Sequence, residues 1–318
     1  MSNSTTGAST AETAGISGQL YHLLRAMRPR QWVKNIFVFA AIAFSAERLW
    51  YTKPMQLVTV FIAFVCFCMA ASSIYLINDL ADIEKDRAHP KKRNRPLASG
   101  KLSPLVAKIT TVILIAISFP IAFFIDQDGG YLATLISYVL IQGVLYTYWL
   151  KNIVIIDIIT IAAGFVMRAI AGAAVINVPI TPWLLVCMGL LAVFLGVGKR
   201  RHELILLNVG AGDHRRILNE YSIPMLDQMM SIVTASILMA YSMTAFSAPS
   251  VPREPYPMLM LTIPFVIYAI FRYLYLIYQR DGGGSPEELV LKDLPLMVSI
   301  MLWGISVLAL MLIFPATV

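Results

Sequence analysis

Asp79, Asp82 and Asp86 stand in the run Asn78-Asp79-x-x-Asp82-x-x-x-Asp86. On a helix advancing 100° per residue, the three carboxylates fall within an arc of about 60° on one face. Three like charges on one stripe repel, so a cation belongs between them. Oxygen-only donors suit a hard ion, and Mg2+ typically takes few carboxylates and completes its shell with phosphate oxygens. Glu84 points away from the stripe. Arg87, Lys91, Lys92, Arg93 and Arg95 follow at once, residue types suited to a diphosphate already bridged by metal. A charged helix end facing water would use the same residues. The regular spacing, the long apolar run just before it and the basic residues just after favour a metal–diphosphate site.

The elements that carry these residues are greasy. Of 318 residues, 58% are hydrophobic and only 14% charged, with a mean hydropathy of +0.73. Soluble domains rarely exceed about half apolar. Runs of about 20 apolar residues, each able to cross ~30 Å of hydrocarbon, predict an all-α polytopic membrane protein. Nine transmembrane helices are expected, near 33–49, 55–77, 104–125, 131–149, 153–175, 182–198, 225–247, 257–278 and 294–314. Lys and Arg crowd the N-terminal segment and the loops at 78–103, 150–152, 199–224 and 279–293, while the alternate loops carry only Arg48, Lys53 and Arg253. Positive charge marks the cytoplasmic side, which puts the N-terminus inside and the C-terminus outside. Residues 1–20 are small and polar and read as a disordered tail, leaving 21–318 as a single transmembrane catalytic domain. The large inner loops follow the second and sixth spans, which hints at two four-helix halves plus one extra helix.

Other polar residues in the apolar chain need separate readings. Cys66, Cys68 and Cys187 lie in spans with no partners at ligand spacing and read as core thiols. The net charge of +7 sits in loops between spans and is no signal for nucleic acid. Lys34, Lys151, Lys199 and Arg200 lie at inner helix ends, where they would converge on phosphate groups or snorkel to the interface. Arg168 lies well inside the fifth span, where charge is costly unless paired or in a wet cavity. Asp157 shares its face but lies about 16 Å away at 1.5 Å per residue, too far to pair with it. Arg272 also lies inside a span and is expected to snorkel. Small residues at 162–174 predict close helix packing.

Asn78-Asp79-x-x-Asp82-x-x-x-Asp86 followed by Arg95-Pro96-Leu97-Ala98-Ser99-Gly100 resembles the first signature of the UbiA superfamily of intramembrane prenyltransferases. The resemblance implies nine helices around a greasy chamber, with acidic clusters at cytoplasmic helix ends binding Mg2+ and a diphosphate. The stretches MRPRQWVKN at 27–35, YTYWLKN at 146–152, GFVMRAIAGA at 164–173, KRRHEL at 199–204 and YSIPMLDQM at 221–229 narrow it. Together they resemble the decaprenyl-phosphate phosphoribosyltransferase branch, which uses 5-phosphoribosyl diphosphate as donor and a polyprenyl phosphate lipid as acceptor. Prenyl-donating relatives place a second aspartate-rich cluster after the sixth span. Here that loop opens on Lys199, Arg200, Arg201 and a single Glu203, with Asp213, Glu220 and Asp227 widely spaced. Extra positive charge suits the extra phosphates of such substrates.

The resemblance thus implies that Asp79, Asp82 and Asp86 hold Mg2+ and carry catalysis. Lys34, Asn78, Arg87, Arg95, Tyr146, Lys151, Lys199, Arg200 and Glu203 would bind substrate, with Glu203 or Asp227 orienting ribose hydroxyls. It further implies a multi-pass enzyme of the bacterial inner membrane, its site facing the cytoplasm, that makes a cell-envelope arabinan precursor. The sequence is compatible with a homo-oligomer. A prenyltransferase acting on an aromatic acceptor is the alternative within the fold. A membrane transporter is the alternative outside it, but that predicts ionisable residues along a mid-bilayer path, and only Arg168 and Asp157 approach one.

Overall fold

Proline and a polar cap open several of the long helices. Ser103 accepts a hydrogen bond from the Leu105 N–H before Pro104, Ser222 from Met225 before Pro224, and Asp293 from Leu296 before Pro295. Each satisfies an orphan donor of a first turn, and the adjacent proline removes another. The computed structural model describes residues 16–45, 49–89, 92–208, 216–251, 254–280 and 286–314. Among them every regular element is helical.

Helix α1 spans Ile16–Met27. Residues 16–20, expected in the tail, therefore begin a helix, and residues 1–15 lie outside the described residues. The residue before a proline is disfavoured in the right-handed helical region, which helps to end α1 ahead of Pro29. Arg28 takes a left-handed conformation there (φ 55°, ψ 60°). A tightly wound run over Pro29–Phe39 and a single turn over Ala40–Ala43 follow. The first expected span is thus an interrupted run, and its last part, 46–48, is outside the described residues.

The remaining helices are α2 (Pro54–Ala81), the short α3 (Ile83–Ala88), α4 (Pro104–Ile125), α5 (Gly130–Tyr148), α6 (Ile156–Val175), α7 (Pro182–Asn208), α8 (Ile223–Ser247), α9 (Ile263–Gln279) and α10 (Leu294–Ile313). Eight helices among the described residues are long and apolar enough to cross a membrane. Their positions match the second to ninth expected spans, and the chain is a multi-pass membrane protein.

The two largest apolar cores among the described residues divide the helices between them. One joins Val38, Phe67, Tyr131, Leu135 and Val175, from the interrupted run, α2, α5 and α6. The other joins Phe194, Leu226, Ile237, Ile277 and Leu296 from α7 to α10, and takes Ile158 from the start of α6. Helix α6 therefore belongs to both. It can do so because its packing face is small: a Cβ on Gly172 would lie 1.8 Å from the Val38 carbonyl oxygen. Helix α2 is likewise buried through Ala63, Ala70, Ala71, Ser72 and Ser73. Cys66 and Cys68 are buried and unbridged in α2, as expected of core thiols. Arg272 does not snorkel freely. Its guanidinium donates to both carboxylate oxygens of Asp293, at 3.1 and 2.8 Å, because α10 begins beside it. Those hydrogen bonds hold the Asp293 carboxyl below the usual carboxylate range.

Candidate active site

A cavity of about 1010 Å³ opens where α2, α5, α6 and α7 bring their expected cytoplasmic ends together. Its wall carries nine Lys and Arg side chains against three carboxylates, those of Asp82, Asp86 and Glu203. So large an excess selects for a polyanion. Deeper in, Ala71, Ile74, Ile161 and Phe165 give it an apolar floor.

The acidic run is positioned by the end of α2. The helix pauses at Asp82 (φ −105°, ψ 12°) and resumes as α3. Asn78, Asp82 and Asp86, four residues apart, face the cavity. Asp79 does not. It lines a smaller adjoining pocket of about 220 Å³, behind that wall. The sequence placed Asp79 with Asp82 and Asp86 as metal ligands. Instead, its side chain is 1% exposed and its Oδ1 accepts from Arg28 at 2.6 Å and Arg95 at 3.1 Å. Arg95 also donates to Asp86 at 2.7 Å, so one guanidinium spans two of the three acids. Asp82 accepts from the Lys151 ammonium through both oxygens, at 2.8 and 2.7 Å.

Most of the expected substrate-binding residues meet here. Lys34, Asn78, Arg95, Tyr146, Lys151, Lys199, Arg200 and Glu203 all line the cavity, although they come from distant parts of the chain. Arg87 does not. It donates to Glu84 at 2.7 Å and to the Ala98 carbonyl at 3.2 Å, closing the turn after α3. Asp227 is also elsewhere, accepting from Arg201 at 2.6 Å and Tyr278 at 2.9 Å. Lys91 and Asp213 lie outside the described residues.

Arg200 is nearly enclosed, at 2% exposure. Its Nε donates to Asp157 at 2.8 Å and its Nη1 to Glu203. Asp157, wholly buried, also accepts from the Tyr221 hydroxyl at 2.8 Å, while that hydroxyl accepts from the Ile155 N–H at 2.7 Å. Burial pushes the Tyr221 hydroxyl up to about 12; the hydrogen bond to Asp157 adds to the rise and the Ile155 N–H opposes it. Asp157 and Arg168 are indeed not partners.

Several cavity residues escaped the sequence reading. Arg28 lies at the turn that ends α1 before Pro29, and its guanidinium lies 4.9 Å over the Tyr75 ring. Gln142 faces the cavity from a widened helical turn over Val139–Leu145, a local geometry common at functional sites. Asn219 reaches in from the short turn Arg216–Glu220. Only Arg28, next to a proline at the edge of a charged stretch, left a signal in the sequence.

The donors facing the cavity from Asn78, Asp82 and Asp86 are all oxygens or an amide, the set that hard cations take. Among the described residues no three His, Cys, Asp or Glu side chains could hold a metal ion on their own. Mg2+ commonly binds through one or two carboxylates plus substrate phosphates. The residues present fit that arrangement, with the substrate completing the shell.

Residues 35–289 match the UbiA prenyltransferase family. The chain is 33% identical over 295 residues to a decaprenyl-phosphate phosphoribosyltransferase of Corynebacterium glutamicum, covering 92% of this chain and 87% of that protein. It is 35% identical over 291 residues to the protein of the same description from Mycolicibacterium smegmatis, covering 88% and 89%. Its fold is similar to a UbiA homolog from Archaeoglobus fulgidus solved with GPP and Mg2+, with a TM-score of 0.67 at 17% identity, over 91% of this chain and 99% of that one. With the acidic helix end, the cationic cavity and the helical frame all in agreement, the chain belongs to the UbiA prenyltransferase family.

Proposed function

We propose that the protein transfers 5-phosphoribosyl from phosphoribosyl diphosphate to a polyprenyl phosphate, releasing diphosphate. The observation that carries this is the cavity lining: nine cations against three carboxylates, with a floor that is apolar except for Arg168. An aromatic acceptor brings no phosphate and leaves most of that charge unused. A sugar donor phosphorylated at two positions and a phosphorylated lipid use it. The identity to named phosphoribosyltransferases over most of both chains supports the same substrates.

In the proposed reaction an oxygen of the lipid phosphate forms a bond to the anomeric carbon as the bond from that carbon to diphosphate breaks. Negative charge accumulates on the leaving group, and the ribose ring takes oxocarbenium character. Asn78, Asp82 and Asp86 would hold Mg2+, which supplies Lewis-acid neutralisation of the departing diphosphate. Lys151, which shares Asp82 with that site, would bind phosphate oxygens together with Lys34 and Lys199. Arg200 is held rigid by Asp157 and Glu203 and presents its remaining N–H groups without reorganisation, the property that makes fixed donors effective. Asp79 keeps Arg28 and Arg95 in place behind the acidic wall. No general base is required, because a lipid phosphate is already ionised near pH 7.

We place the protein in a bacterial inner membrane with nine passages, the interrupted run over 29–43 being part of the first. Its N-terminus and the cavity mouth face the cytoplasm. The test is incubation of purified protein with Mg2+, labelled phosphoribosyl diphosphate and polyprenyl phosphate. A labelled lipid is expected, its formation stopped by chelation and restored by Mg2+. Consumption of a prenyl diphosphate with no labelled lipid would refute the proposal.

A further inference from the structure

Arg168 sits on α6 eleven residues beyond Asp157, about 16 Å deeper at 1.5 Å per residue. It is 6% exposed and lines the floor of the cavity. Its Nε donates to Asn35 at 2.8 Å, its Nη1 to the Gly164 carbonyl at 2.6 Å and its Nη2 to the Tyr138 hydroxyl at 2.7 Å. All three acceptors are neutral. The rings of Phe67, Tyr138 and Phe165 surround the guanidinium carbon at 5.6, 4.9 and 5.2 Å. Among the described residues no carboxylate pairs with it.

The donor inventory is unbalanced. A guanidinium has five N–H groups, and three are used within the protein. Two remain. Tyr138 accepts from Arg168 and donates its own hydroxyl hydrogen to nothing among the described residues, and it too lines the cavity. Up to three donors and a full positive charge therefore lie side by side where the largely buried Arg168 and Tyr138 line the cavity. Aromatic faces reduce the cost of burying that charge but accept none of those hydrogens. A buried cation without an anion is expensive, and inside a membrane it marks a functional partner.

We infer that Arg168 and Tyr138 form an anion subsite for a phosphate monoester, separate from the acidic wall where the diphosphate leaves. Two phosphates in the proposed reaction have this chemistry: the 5-phosphate of the sugar donor and the phosphate of the lipid acceptor. The identity of these two sources rests on the proposed function; the subsite itself does not. Asn35 is a positioning residue for it. Wholly buried, it accepts from Arg168 and donates to the Cys68 sulfur at 3.2 Å, fixing the guanidinium plane.

The test uses the full chain in detergent or nanodiscs, comparing wild type with Arg168→Gln, Arg168→Lys and Tyr138→Phe. Inorganic phosphate binding is measured by calorimetry, and KM is measured for each substrate. Arg168→Gln should weaken phosphate binding at least tenfold and raise one KM similarly, with Arg168→Lys partly restoring both and Tyr138→Phe giving a smaller loss. A rise confined to the donor KM assigns the subsite to the 5-phosphate, and a rise confined to the acceptor KM assigns it to the lipid. If folded Arg168→Gln and Tyr138→Phe bind phosphate and both substrates within twofold of wild type, the subsite is refuted. Should Arg168→Gln fail to fold, an unchanged Tyr138→Phe alone refutes it. A wild-type protein that binds phosphate through Arg168 but forms no labelled lipid would overturn the proposed function and leave the subsite standing.

Discussion

Replacing Asp157 with Asn removes one charge and almost no volume from the support of Arg200. The Arg200–Asp157 contact is 2.8 Å long, with side chains 3% and 0% exposed, so neither water nor salt screens it. A hydrogen bond to a charged group contributes about 1.5–3 kcal/mol. At 1.4 kcal/mol per tenfold, loss of that order from transition-state binding lowers kcat/KM by roughly 10- to 150-fold. Glu203 still holds Nη1 of Arg200, so the lower half of that range is expected. Breaking a fully buried pair costs about 3–5 kcal/mol of stability; retention of Glu203 and of the Tyr221 hydrogen bond should reduce this. The assay is steady-state transfer of labelled phosphoribosyl to polyprenyl phosphate, with thermal unfolding in the same detergent. Because Arg200 is proposed to bind substrate phosphate, Asp157→Asn should have little further effect in an Arg200→Ala background. Full activity and unchanged unfolding in Asp157→Asn would refute the claim that a buried carboxylate sets the guanidinium. Equal additional losses in the double variant would refute the claim that it acts through Arg200.

Other outcomes follow from the same geometry. Asp82→Asn and Asp86→Asn should abolish turnover with the protein still folded, whereas Asp79→Asn should lower thermal stability and leave measurable Mg2+-dependent turnover; the reverse ranking in the transfer assay would place Asp79 at the metal. Gly172→Ala should prevent recovery of folded protein by size-exclusion chromatography, because its Cβ would meet a backbone oxygen at 1.8 Å that cannot rotate away. Tyr221, with its hydroxyl raised to about 12, keeps its proton when folded and loses it near pH 10 when unfolded. Stability should therefore decline as pH rises from about 10 to 12, and chemical unfolding of Tyr221→Phe should show a smaller decline than wild type.

The chain's hydropathy determined eight of the expected spans, because a segment that crosses hydrocarbon must satisfy its own backbone and so reveals its length in local composition. The inner-loop lysines and arginines likewise pointed to one shared site: Lys34, Lys151, Lys199 and Arg200 line a single cavity. The sequence also separated Asp157 from Arg168 correctly, since distance along one helix is a local property. What the tertiary structure decided was the direction in which charged groups face. A 100° wheel places Asp79, Asp82 and Asp86 together, but α2 pauses at Asp82, and Arg28 and Arg95 draw Asp79 behind the wall so that Asn78 takes its place. Arg28 comes from the turn after α1, Arg200's carboxylate from α6 and Tyr221 from the loop before α8. Pairings between residues dozens of positions apart leave no periodicity in sequence. They are set by which helices pack together, and burial makes each unpaired charge costly enough to enforce the choice.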